Sequence, residues 1–127
     1  MLAGVDTGFF FAIEEEHPLA LKVWDEKEII TSAIVLYELQ KHLLKGHFKN
    51  WGSIIKDVEK STVAIPLTTD IALDAGHIAF ETGMPGLDAL ILSSLLKADC
   101  KEIYTTDSHF ELYQKKGIKI INISKEE

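Results

Sequence analysis

Arginine is absent. All 13 basic residues are Lys, set against 20 acidic ones, and the net charge is −7. A protein that holds nucleic acid by bulk charge is basic, so that class is excluded. Contact with phosphate would need another source of positive charge, such as a bound divalent cation. Cysteine is nearly missing as well. Cys100 alone closes no internal disulfide and builds no thiolate zinc site, which points to an intracellular chain with Cys100 as a small buried hydrophobe. Long apolar runs are also lacking. The longest, Leu87 to Leu96, has Asp88 inside it and is far shorter than the ~20 residues that span a bilayer. No basic segment precedes the apolar start, which Asp6 interrupts, so no targeting segment is expected. With only 3 Pro and 46% hydrophobic residues, a disordered chain is excluded too.

What is present fits one domain over residues 1–127, long enough to bury about two thirds of its unfolded surface. Short β-like runs alternate with helical stretches. Leu2–Val5, Glu28–Thr31, Thr62–Leu67, Glu102–Thr106 and Lys119–Ile123 read as extended. Between them, Thr7 is placed to cap a helix starting at Gly8, and Pro18 opens a second helix carrying Val23 and Trp24. Ser32 caps a third with Leu36, Leu39 and Leu43 in one stripe, and Trp51 to Lys60 is a fourth. Thr68 or Thr69 caps a fifth with Ile71, Ala72, Ala75, Ile78 and Ala79 inward and Gly83 beyond its end. Leu87 to Lys97 is apolar on nearly every side and reads as a buried helix, and Ser108–Gln114 as a short one. Strands alternating with helices imply a parallel sheet of four or five strands, covered on both faces. Ligands of such sheets bind outside the carboxyl ends of the strands.

Most acidic residues, among them Glu14-Glu15-Glu16, Asp25-Glu26, Asp57, Glu59 and Glu126-Glu127, read as ordinary surface charge. Four do not. Asp6 and Asp107 each follow a strand directly, Asp88 opens the most apolar helix, and Glu38 lies within Ile34-Val35-Leu36-Tyr37-Glu38-Leu39. A lone buried carboxylate costs several kcal/mol or protonates. Two at ~4 Å repel by roughly 4 kcal/mol at an effective dielectric of ~20. A hard divalent cation between them makes the grouping tolerable, and Mg²⁺ and Mn²⁺ prefer oxygen ligands. Each residue also has a plain alternative. Asp6, Asp88 and Asp107 can serve as helix caps or answer a helix dipole, and Glu38 can face solvent at the edge of its stripe.

Val5-Asp6-Thr7, Tyr37-Glu38-Leu39, Gly86-Leu87-Asp88-Ala89 and Thr105-Thr106-Asp107-Ser108-His109-Phe110 together resemble the PIN domain in order and spacing. The likeness spans essentially the whole chain and lies nearest the small VapC-like toxin ribonucleases of VapBC toxin–antitoxin systems. It implies a three-layer α/β/α sandwich and a metal-dependent endoribonuclease. Asp6, Glu38, Asp88 and Asp107 would be the catalytic, Mg²⁺- or Mn²⁺-binding acids, with Glu38 as ligand or water-orienting base. The cation would polarise the scissile phosphate and lower the pKa of a bound water, leaving 5′-phosphate and 3′-hydroxyl ends. Thr7 and Thr105 would support the acids. RNA as substrate, an antitoxin, a homodimer and a cytoplasmic location follow from the same likeness. The chain departs from the family pattern at His109, where many relatives carry an acid. That departure bears on a second metal, and the expectation is a local hydrogen-bonding role or a phosphate contact. The alternative is a catalytically silent module that binds protein or RNA; Phe48 and Trp51 are its aromatic interface candidates, although a core role is the expected one for both.

Other patterns carry less. Asp6-Thr7-Gly8 is also an aspartic-protease triplet, but that chemistry needs two such Asp on a β-rich body. Asp70, Asp74, His77 and Glu81 share one helix face and read as solvated. His17, His42 and His47 receive no role. Lys41, Lys45 and Lys49, spaced by four, form with Lys56 and Lys60 the one basic strip of an acidic chain. It is either a snorkelling solvent face or a phosphate guide, with Lys41 and Lys45 as the RNA contacts.

Overall fold

The structure is a computed structural model that describes residues 1–125. Glu126 and Glu127, assigned above to surface charge, lie outside the described residues. Five strands form one parallel sheet: β1 (Leu2–Val5), β2 (Glu28–Ser32), β3 (Val63–Ile65), β4 (Glu102–Thr105) and β5 (Lys119–Asn122), in the order β3-β2-β1-β4-β5. Helices α1 (Thr7–Glu14), α2 (Pro18–Glu26), α3 (Ala33–Leu44), α4 (Ile54–Ser61), α5 (Thr69–Thr82) and α6 (Gly86–Lys97) connect and flank it. The parallel α/β sheet expected from the alternation is therefore the observed one, at the upper strand number. Among the described residues no helix is long and apolar enough to cross a membrane.

The chain leaves β1 toward β2 and β3, then returns to lay β4 on the other side of β1. This reversal is a topological switch point, and a crevice opens at the carboxyl ends of the two strands. Register fixes it: Gly4 pairs with Ile103 and Val5 with Tyr104, and the Asp6 N–H donates to the Tyr104 carbonyl at 3.4 Å. Asp6 and the Thr106–Asp107 turn thus leave the sheet side by side.

Local chemistry explains where the helices begin. Asp6, rather than Thr7, caps α1, its Oδ1 accepting the Phe9 N–H at 3.0 Å; the carboxylate reaches an otherwise orphaned N–H in the first turn. Ser32 and Thr68 cap α3 and α5 through the N–H groups of Ile34 and Ile71. Helix α4 starts three residues later than Trp51, because that ring belongs to an aromatic cluster with Phe10, Trp24 and Phe48, and its Nε1 donates to Asp57 at 2.8 Å. Phe48 is accordingly buried, 4% exposed, which gives it the core role expected for it over the interface alternative.

Helix α6 is buried from Ile91 to Leu95 and packs on α5 and β2. Its two serines are satisfied internally: Ser93 donates to the Ile71 carbonyl at 2.9 Å, and Ser94 to the Leu90 carbonyl at 2.8 Å while contacting Ser32 Oγ at 3.0 Å. On α5, Ala72 faces outward rather than inward, and Leu73 and Phe80 are exposed. The acidic stripe there is solvated as expected, with His77 and Glu81 paired at 3.1 Å.

Gly8 sets how closely α1 approaches β4. A Cβ at this position would collide with Thr106 Oγ1 and lie 3.1 Å from Thr106 Cβ. Gly8→Ala should lower stability by about 1–3 kcal/mol through this overpacking, read as a drop in thermal midpoint. Adding Thr106→Ala should recover part of the loss, and no recovery would contradict the assigned contact.

Candidate active site

The four acids singled out in the sequence converge. Asp6, Thr7, Gly8, Phe11, Glu38, His42, Asp88, Ile91, Thr106 and Asp107 line one pocket of about 210 Å³ at the switch point. A larger open groove of about 670 Å³ lies elsewhere, along α5, α6 and residues 112–115. Its charged groups are solvated surface residues, so the smaller pocket is the chemically distinctive one.

Each acid is held by its own neighbourhood. Asp6 ends β1, is 3% exposed, and uses both oxygens: Oδ1 for the Phe9 N–H, and Oδ2 for the Thr105 hydroxyl at 2.5 Å. Burial pushes its carboxyl up to about 7, opposed by these two hydrogen bonds and reinforced by the charges of Asp107 and Asp88. Asp88 sits in the first turn of α6, which has no side-chain cap. Its carboxyl is pushed up to about 6, first by burial, then by Asp107, while His109 pulls it down. Asp107 caps a 3-10 turn (Ser108–Leu112), its Oδ1 accepting the His109 N–H at 2.8 Å. Glu38, on α3, is half-buried rather than free in solvent, and the Thr7 hydroxyl donates to its Oε1 at 2.5 Å.

Thr7 and Thr105 therefore each orient one carboxylate. His109 is exposed, yet its Nδ1 lies 3.0 Å from Asp107 Oδ1 and 3.4 Å from Asp88 Oδ2. Lys41, on α3, and Lys45, its C-cap, are exposed and outside the pocket lining, and the Lys41 Nζ lies 5.5 Å from the Tyr37 ring centroid. The sequence reading missed His42. It lines the pocket one turn beyond Glu38, packs edge-on to Phe11, and meets His47 with Nδ1 atoms 2.9 Å apart. Burial and the nearby His47, Lys45 and Lys41 hold its pKa below the usual histidine value. The Glu38–His42 spacing of four on one helix was the available signal.

The residues fit a divalent cation. The donors are oxygens plus one imidazole, and ligand atoms from Asp88, Asp107 and His109 all lie within 4.8 Å of one another. The buried Asp6 behind them carries a strained charge balance that a cation would relieve.

The chain belongs to the PIN domain family, whose model matches residues 4–116. Its fold is shared with chains solved in toxin–antitoxin complexes, among other structures. VapBC2 from Rickettsia felis, solved with a DNA fragment of its promoter, superposes with a TM-score of 0.72 at 18% identity, covering 94% of this chain and 97% of that one. A toxin–antitoxin complex from Klebsiella pneumoniae gives 0.71 at 15% identity, covering 95% and 97%. VapC20 of Mycobacterium tuberculosis, described as a sarcin-ricin loop cleaving toxin, gives 0.69 at 20% identity, covering 86% and 92%. No curated protein matches the chain significantly in sequence.

The Asp6 shift makes stability depend on pH. With a folded pKa of about 7 against an ordinary 3.8, the folded chain retains a proton that the unfolded chain has released between those values. Metal-free stability therefore falls as pH rises through that window. Asp6→Asn should flatten the slope and raise the metal-free thermal midpoint at about pH 7.5 by several degrees. A midpoint that rises with pH from 5 to 7.5 in the wild type, on the order of the same size, would contradict it.

Proposed function

We propose that the protein is a metal-dependent endoribonuclease that hydrolyses RNA phosphodiester bonds, the toxin of a toxin–antitoxin pair. The observation that carries this reading is the convergence of Asp6, Glu38, Asp88 and Asp107 on one pocket. Membership in a nuclease family supports it. Toxin–antitoxin complexes among the structural relatives support an antitoxin as partner, and a second copy of the chain is the other partner this reading carries, in the cytoplasm.

Asp6, Asp88 and Asp107 would hold Mg²⁺ or Mn²⁺, with Glu38 as a further ligand or as the base that orients the attacking water. When bound, the cation supplies charge neutralisation at the phosphate and a more acidic water. The chain does the rest. Thr105 fixes the Asp6 carboxylate and Thr7 fixes Glu38, so neither acid spends the reaction reorienting. Glu38, half-buried in the pocket lining, would accept the proton of the attacking water. Ile91 and Phe11 supply apolar wall. Lys41, one turn after Glu38 on α3, and Lys45, at the end of that helix, would meet the RNA backbone.

Purified protein should cleave single-stranded RNA with Mg²⁺ or Mn²⁺ and stop with chelator. Asp6→Asn should lower the rate by at least about 100-fold, beyond what loss of an outer-shell partner costs, with circular dichroism unchanged. Full activity in that variant, or cleavage that survives chelation, would end the proposal. Lys41→Ala with Lys45→Ala should weaken RNA binding and reduce its salt dependence by about one to two counterions; unchanged binding would remove the strip from the account.

A further inference from the structure

The geometry points to Asp88, Asp107 and His109 as three ligands of one ion, with the imidazole making the site favour a first-row transition metal, Mn²⁺ or heavier, over Mg²⁺. This rests on the metal-dependent reading above and adds the class of metal.

The spacing is that of a coordination edge. Two donors each ~2.1 Å from an ion lie about 3.0 Å apart at a right angle and about 3.4 Å apart at a tetrahedral angle. His109 Nδ1 stands 3.0 Å from Asp107 Oδ1 and 3.4 Å from Asp88 Oδ2. The backbone holds the ring there. Asp107 Oδ1 takes the His109 N–H at 2.8 Å, and the next residue, Phe110, is fully buried and anchors the turn. Asp88 arrives independently, on the first turn of α6. Three side chains from two elements thus bring two oxygens and one nitrogen to a common point, open to solvent on the His109 side.

The nitrogen decides the preference. Mg²⁺ takes oxygen donors and holds its waters tightly. Imidazole suits later first-row ions, whose affinity for mixed nitrogen and oxygen sites rises from Mn²⁺ onward. An acid at position 109 would give a harder, more negative site. His109 makes it less negative and softer.

Mn²⁺ added below one equivalent to the full chain, followed by pulsed electron paramagnetic resonance, reads the ligand directly. The expected spectrum shows modulation from a coordinated ¹⁴N. That modulation should vanish in His109→Gln and persist in His42→Gln, the histidine that lines the pocket. In His109→Asp, the Mg²⁺ needed to displace half of the Mn²⁺ should fall by on the order of tenfold. Mn²⁺ bound to wild type without nitrogen coupling, or coupling that survives His109→Gln, would overturn the assignment and leave the nuclease reading standing. Failure of Mn²⁺ to bind at all would overturn both.

Discussion

Asp6 is the constraint around which the rest is arranged. It is a carboxylate at the end of a central strand, nearly removed from water, with two more acids beside it. Desolvation and like charge both act against its ionised form, and only two hydrogen bonds oppose them. A fold that needed a helix cap here would do as well with Ser or Asn, without the charge. The structure instead spends stability to keep ionisable groups together, the pattern of a site whose rule-breaking is compensated by function.

The sheet topology makes that concentration possible. The reversal at β1 and β4 sends two chain segments out of the same end of the sheet, and the first turns of α1 and of the 3-10 turn follow them. Gly8 lets α1 approach the Thr106 turn without a side chain between them. Thr105, in β4, reaches across to Asp6, while Thr7, in α1, reaches across to Glu38 on α3. Each threonine ties an acid to a different element, so the pocket is braced by the scaffold and not by loops. His109 sits at the open side, on the turn that Phe110 anchors.

Much of this was legible in the residues. Apolar runs and helical spacing gave the order of the five strands and of α1 to α6, because the elements are short and mostly bounded by Pro, Gly or hydroxyl residues; the 3-10 turn at Ile123–Lys125 was not among them. Asp6 and Asp107 each had a plain alternative as a helix cap, a role both also fill; they stood out as members of an ordered set of four acids, not one by one. What escaped the sequence depended on distance across the fold. Trp51 reads as helix until the aromatic cluster around Phe10 and Trp24 draws it out. His42 carried only a spacing signal, and its place beside Phe11 and His47 depends on how α3 crosses α1. His109 read as a local residue because nothing in one chain segment reveals that Asp88, on another helix, lies 3.4 Å from its ring.

The central claim is that these acids stay together because a cation replaces the protons they hold in its absence. Calorimetric titration of Mn²⁺ into the metal-free protein near pH 6.5, repeated in buffers of different ionisation enthalpy, measures that exchange. With Asp6 near 7 and Asp88 near 6, binding should release about one proton per ion. Binding with no proton release, or no binding, would contradict the account.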